Sequence, residues 1–416
     1  MGGRTVQTPP WTAVRRLALG RLISVTGGAA AYTALNFTVW SRTHSPAMQA
    51  LSLLLTFGVA GILGPFAGAL GDRFDRRRVM IVSEAFAAAF FAVMAFVHRP
   101  GALIALAFGS AVAELPFFSA SRAAIPNLVE REDDIAWANS LVTVGVHAGI
   151  ALGPLIGGVL VASVGPAWVF GINAVSFVVS LLLTLTVHGR FSDPARASQE
   201  EHGGITAGIR FLCRDRVLRR MSIAWLVFVL GMGMGMVADA PLAESFGAGA
   251  TGFGLLIAAW GSGSVLGSAA GRWMRARDEP LWMVIGAGCI SVAAFSVGTA
   301  PWFWLVLVSL FVMGASDGLT IVAENGIMQR RTPDAVRSRA MAAFEALISL
   351  GLFFAYAAAI PMLRLLEPQR VYLIGAVGAG LATLLLLPLL SLRREAVAAE
   401  VERAREVSTT WQSRLE

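Results

Sequence analysis

The sequence predicts an all-α polytopic membrane protein, with twelve transmembrane helices in two pseudo-symmetric six-helix bundles. Three observations carry that expectation. Of the 416 residues, 56% are hydrophobic and 14% are charged, where a soluble chain carries about 25% charge. Apolar stretches of about 20 residues, the length that crosses a bilayer core, recur along the chain with one polar interval midway. Arginines collect in alternate loops, as they do on the cytoplasmic side of a membrane.

Taken in order, the first stretch, 18–41, follows several arginines. It shows no small-residue cleavage site, so it reads as a retained helix rather than a signal peptide. The second, 48–71, ends where Asp72, Arg73, Arg76, Arg77 and Arg78 crowd together, a charge density that hydrocarbon excludes. The third to sixth fall near 78–97, 101–121, 138–162 and 166–188. A polar interval over 189–217 holds Arg190, Arg196, Glu200, Glu201, Arg210, Arg214 and Arg216. Six further stretches follow near 219–243, 251–271, 281–300, 302–325, 340–362 and 371–391.

The expected organisation is a cytoplasmic N-terminus (1–17), a first bundle (18–188), a cytoplasmic central loop (189–218), a second bundle (219–391) and a cytoplasmic tail (392–416). The tail, with Glu395, Glu400, Glu402, Arg403 and Arg405, reads as a charged, solvated helix. Arginine placement tests the count. With both termini inside, the outer loops hold Arg42, Arg99, Arg364 and Arg370. The inner loops hold Arg73, Arg76–Arg78, Arg122, Arg131, the central group, Arg272, Arg275, Arg277, Arg330, Arg331, Arg337 and Arg339. An even number of spans in the cytoplasmic (inner) membrane follows.

Composition also excludes functions. The net charge of +7 comes from arginine alone, since the chain has no lysine. A pI near 10.7 would suggest nucleic acid in a soluble protein, but these arginines lie between apolar segments. Without lysine there is no nucleotide-binding loop of the phosphate-cradling kind, so any transport draws on an ion or substrate gradient unless a separate ATPase partner exists. Cys213 and Cys289 are too few for a disulfide framework or a zinc site. No metal-ligand spacing or nucleophile motif appears, so neither a cofactor nor enzymatic chemistry is expected.

The loop after the second stretch carries Gly68, Asp72, Arg73, Arg76, Arg77 and Arg78, with Asp75 at a position where glycine is usual. The fifth stretch carries Gly149, Gly153, Pro154, Gly157 and Gly158. Over nearly its whole length the chain resembles the major facilitator superfamily, whose loop signature the first set matches. The second set resembles the element associated with its exporters. Ser121–Val129, Ala138–Ser140 and Arg331–Arg339 resemble enterobactin-exporter-like and macrolide-efflux-like members. That resemblance implies proton coupling. It also implies that Asp72, with Arg73, Arg76 and Arg77, bridges the bundles at the cytoplasmic face. The first stretch lacks the acid frequent in this branch, and the fourth has Glu114 but no mid-membrane arginine.

A proton-coupled carrier needs a carboxylate at membrane depth. Glu114 and Asp317 are the first candidates, then Asp239 and Glu84. Each either carries a proton or forms a structural pair. Glu84, Glu324 and Glu345 lie nearer the cytoplasmic ends and can reach interfacial water. His147 either titrates or packs, and Arg21 is expected to snorkel to the headgroups. Met232, Met234 and Met236 line an adaptable cavity or pack against core and lipid. Gly261–Gly267 is a close-packing stretch.

The expected function is export of a small amphiphilic molecule (a drug, siderophore or secondary metabolite) by alternating access with proton antiport. The expected partners are that substrate, protons and the lipid bilayer, with no nucleic acid and a monomeric carrier. An uptake carrier, a lipid flippase and a non-transporting sensor or assembly partner are the alternatives.

Overall fold

The computed structural model describes residues 10–58, 63, 74–129, 132–187, 189, 191 and 205–394. Gly68, Asp72, Arg73 and the tail beyond Arg394 lie outside the described residues, as do the side chains of Arg122, His147 and Arg337. The first six long elements are α1 (Pro10–Thr43), α2 (Pro46–Leu53, continued by a π turn over Leu54–Gly58), α3 (Arg76–Met94), α4 (Pro100–Leu128), α5 (Glu132–Val164) and α6 (Pro166–Thr186). A short α7 (Ile205–Arg214) follows. The remainder are α8 (Arg216–Ser245), α9 (Gly249–Ala270), α10 (Glu279–Thr299), α11 (Phe303–Arg331), α12 (Asp334–Leu365) and α13 (Pro368–Leu386).

Ten of these helices are long and apolar enough to cross a membrane. The others at span positions are α3, whose first turn holds three arginines, and α2, whose described part is short. The chain is a multi-pass membrane protein. Phe96 (83% exposed), Leu365, Val292 and Trp168 point outward as large apolar side chains, the surface that lipid solvates. Trp302 and Trp304, both exposed, stack with ring centroids 6.0 Å apart at one end of the bundle, where amphipathic rings meet headgroups.

Helices run longer than the apolar stretches suggest. Hydropathy marks only the hydrocarbon portion, whereas backbone hydrogen bonding continues until a turn residue intervenes. So α4 runs on from Ser121 through 122–128, and α11 runs through 326–331, both expected as loop. The polar central interval is also partly helical. In α7, Leu212 is buried against Leu218, Met221 and Ala340, so an amphipathic helix lies where charge alone suggested a loop.

The packing repeats. In the first half α1 lies on α5 and α6, and α3 on α4 and α6. In the second half α8 lies on α12 and α13, and α10 on α11 and α13. Between halves α5 meets α9, and α2 meets α12, an exchange that obeys the same correspondence. That is the geometry an internal duplication produces.

Asp215 ties the start of the second half together. It caps α8, accepting from the backbone N–H groups of Val217 and Leu218 at 2.9 Å each. Its Oδ2 also receives Arg331 Nη2 at 3.0 Å. Burial lifts its pKa, but the Arg331 guanidinium and the two backbone donors outweigh that and hold the carboxyl below its ordinary 3.8. This stabilisation is complete above 3.8 and is lost as pH falls through the lower folded value. Asp215→Ala should cost about 1 kcal/mol, read as a lower unfolding temperature in detergent at pH 7, with the gap to wild type closing as pH falls below 3.8.

Candidate functional site

Three polar groups interrupt the apolar interior. The first lies within the first half. Arg21 on α1 is 6% exposed, with its guanidinium carbon 4.9 Å from the Phe117 ring centroid and 4.6 Å from that of Phe118. It does not snorkel to the headgroups. The aromatic floor supplied by α4 holds it inside, and it acts electrostatically on both Glu84 of α3 and Glu114 of α4. Glu84 is 2% exposed and accepts a hydrogen bond from Ser180 Oγ of α6. It is therefore buried rather than in reach of interfacial water. Glu114 is half-buried and accepts from Ser110 Oγ at 3.1 Å. A cleft lined by Leu17, Arg21, Phe117, Ser121, Val142 and Ser180 opens beside them.

The second group lies on α11. Asp317 and Glu324 are half-buried and stand two turns apart, with Glu345 of α12 exposed nearby. Glu324 feels both neighbours as like charges. None of the three takes part in an ion pair among the described residues. Glu114 and Asp317 thus sit in separate halves, each with its own surroundings, and do not form one pair.

The third group bridges the halves. Asp239 of α8, 7% exposed, accepts a hydrogen bond from Tyr372 of α13. Tyr356 of α12 lies close by and donates to Met236 Sδ at 3.4 Å. Tyr32 of α1 approaches from the first half, beside Asn36, whose Oδ1 accepts from Gln49 Nε2 at 3.2 Å. Sequence reasoning named Asp239 and Met236 but passed over the tyrosines, yet a signal existed: the chain contains only three, and all three meet here. The alternating Gly231, Gly233 and Gly235 of α8 make the approach possible. A Cβ at Gly231 would stand 3.0 Å from the Gly378 Cα, one at Gly233 2.8 Å from the Ala355 Cβ, and one at Gly235 3.3 Å from the Tyr372 ring. Of the methionines that alternate with them, Met234 is buried and Met236, just beyond, is 40% exposed.

Near His44 the two halves are latched. Glu244 at the end of α8 accepts from Trp40 Nε1 and pairs with His44 Nε2 at 3.1 Å. A little deeper, α5 crosses α9 so closely that a Cβ on Gly158 would lie 2.5 Å from the Gly254 Cα. Gly58 of α2 meets Phe353 of α12.

The glycine block of α5 has two faces. Gly149, Gly153 and Gly157 lie on α1, where added Cβ atoms would come within 2.9, 2.5 and 2.5 Å of Thr26 or Ala30 backbone atoms. Gly158 points across to the other half. Pro154 lies within the helix without ending it. Gly263 of α9 lies against α11, with its Cβ position 2.8 Å from Ala315 N, so Gly261–Gly267 is a packing stretch.

At the loop signature, Asp75 caps α3 by accepting from Arg78 N at 3.0 Å. This explains an acid where glycine is usual. Arg77 donates to Leu185 O of α6 at 2.6 Å and lies over the Phe191 ring. Arg76 is buried and Arg78 exposed.

Comparison with known proteins fits this architecture. The family model described as Major Facilitator Superfamily matches residues 17–355 and 230–415. The enterobactin exporter EntS of Shigella boydii serotype 18 is 26% identical over 334 residues, 79% of each chain. EntS of Escherichia coli O1:K1 matches at the same identity and coverage. Among solved structures, the D-xylose-proton symporter superposes with TM-score 0.67 at 17% identity, over 91% of this chain and 96% of that one. The nucleoside transporter NupG gives 0.66 at 14%, over 91% and 98%. A bacterial homologue of the iron transporter ferroportin, in an inward-facing state, gives 0.67 at 16%, over 92% and 100%.

Proposed function

The chain belongs to the Major Facilitator Superfamily, a family of transporters and not enzymes, and we propose that it exports a small amphiphilic molecule by proton antiport. The observation that carries the coupling is the group of buried Arg21 and Glu84 with half-buried Glu114. One cation faces two carboxylates, so a single proton makes the group neutral. A carboxylate that is alternately dry and wetted by opposite aqueous faces takes up and releases that proton. Asp317, without a cationic partner among the described residues, is the matching carrier in the second half. Export rests on the 26% identity to enterobactin exporters and on the glycine element of α5.

In this reading both termini and Asp215 face the cytoplasm, and the His44 end faces outward. Asp72, with Arg73, Arg76 and Arg77 as its electrostatic partners, would hold the outward-open state. The substrate is a siderophore or another amphiphile, with enterobactin the first compound to test.

Acidified inside-out vesicles containing the protein check the proposal. Enterobactin, or one of a panel of macrolides and lipophilic amines, should collapse the pH gradient, and Glu114→Gln or Asp317→Asn should abolish the response. A response of full size in both variants, or none in wild type across the panel, would overturn proton antiport.

A further inference from the structure

We propose that Asp239 and the residues around it bind the protonated primary amine of an amphiphilic cargo, a chemistry that enterobactin, with no amine, does not have. Tyr32, Tyr356 and Tyr372 come from three helices in both halves, and all three lie within electrostatic or hydrogen-bond reach of this one carboxylate. Asp239 takes part in no ion pair among the described residues. Its position is therefore a buried acid with aromatic rings in place of a cation, a surrounding that attracts one.

Two further groups point to the same ligand. Gln49 and Ser52 of α2 are each 0% exposed and lie one turn apart on the same face. Gln49 gives one amide hydrogen to Asn36, and among the described residues Gln49 Oε1 and Ser52 Oγ have no partner. The unpartnered atom of Gln49, Oε1, is an acceptor, and the carboxylate accepts as well. A primary ammonium has three donors and no acceptor, so it complements this set. An alcohol brings one donor, and a quaternary ammonium brings charge without donors. For the apolar part, Phe57 stands edge-on to Tyr32 at 4.3 Å between centroids, and Met232 and Met236 offer adaptable surface. Gln49, Ser52 and Tyr32 belong to the first half, and Asp239, Tyr356 and Tyr372 to the second. A ligand held by both sets spans the interface where carriers of this architecture bind their cargo.

The assignment rests on the export reading, but its test does not require transport. The purified full-length chain in detergent is titrated with 4-phenylbutylamine, its trimethylammonium analogue, 4-phenylbutanol and enterobactin, followed by calorimetry. The amine should bind about tenfold or more tighter than the trimethylammonium compound and the alcohol, as a buried charged hydrogen bond provides. Asp239→Asn should lose a similar factor, and Gln49→Leu and Ser52→Ala about threefold each. Glu367→Gln, at an exposed pair with Arg370, should bind as wild type does. Equal affinity for amine and alcohol, or unchanged amine affinity in folded Asp239→Asn, overturns the assignment. Should Asp239→Asn not fold, the order of the analogues on wild type decides. Amine binding without proton release in vesicles removes the antiport reading and leaves this site standing. Proton release driven by enterobactin, without amine binding, does the reverse.

Discussion

Arg21→Gln is expected to abolish transport and to destabilise the protein by about 3–5 kcal/mol, the cost of removing one partner from a buried charge group. The side chain is 6% exposed, lies on Phe117 and Phe118, and is the cation that acts on both Glu84 and Glu114. Its removal leaves buried Glu84 and half-buried Glu114 without their shared cation. Glu84 already has one oxygen, Oε2, without a hydrogen-bond partner, so it has no spare donor to fall back on.

Arg21→Lys separates charge from shape. The ammonium keeps the sign but loses the planar stacking on two rings, so partial stability and reduced transport are expected. Adding Glu84→Gln to Arg21→Gln lowers the uncompensated charge and should recover much of the unfolding temperature without recovering transport. Thermal unfolding in detergent and vesicle proton release check the series. A single Arg21→Gln variant that transports at the wild-type rate would remove this group from the mechanism.

Most of the architecture was legible in the chain because bilayer thickness imposes a ruler. Segments of hydrocarbon length and the alternation of arginines located the spans and their pairing into halves. What hydropathy could not give was depth within the protein. Arg21 sits near one end of its apolar stretch, so distance along the helix suggested headgroups. Burial is decided instead by Phe117 and Phe118 of another helix, which no local pattern encodes. Glu84 was misplaced for the same reason, since Ser180 arrives from nearly a hundred residues away.

The glycines divide similarly. The block from Gly149 to Gly158 was visible as a packing motif. That Gly157 faces the same half while Gly158 faces the other follows only from where α1 and α9 lie. The tyrosine group was hidden by sequence distance, although its rarity in the composition offered a way in.

That division yields opposite results for adjacent residues. A Cβ on Gly157 would lie 2.5 Å from Ala30 O and 2.7 Å from Ala30 Cα, both backbone atoms of α1 in the same half. Backbone has no rotamer with which to yield, so Gly157→Val must pry α5 from α1. About 1–3 kcal/mol or more of stability should be lost, seen as poor insertion and a lower unfolding temperature. Gly158→Val meets the Gly254 Cα of α9 instead, across the contact that must part when the His44 end opens. Its cost falls on the closed state alone, so the fold should survive while the population shifts toward opening.

Thiol labelling reads the shift. In a chain from which Cys213 and Cys289, both free and exposed, have been replaced, Leu53→Cys places a probe at a residue 1% exposed between the halves. Labelling should accelerate about tenfold in Gly158→Val, the response to about 1.4 kcal/mol of population shift. It should not change in Gly171→Val, where a Cβ meets nothing within 4 Å. Equal labelling in all three chains would mean that the α5–α9 crossing is not the contact that opens. Loss of folding in Gly158→Val but not Gly157→Val would reverse the assignment of the two faces.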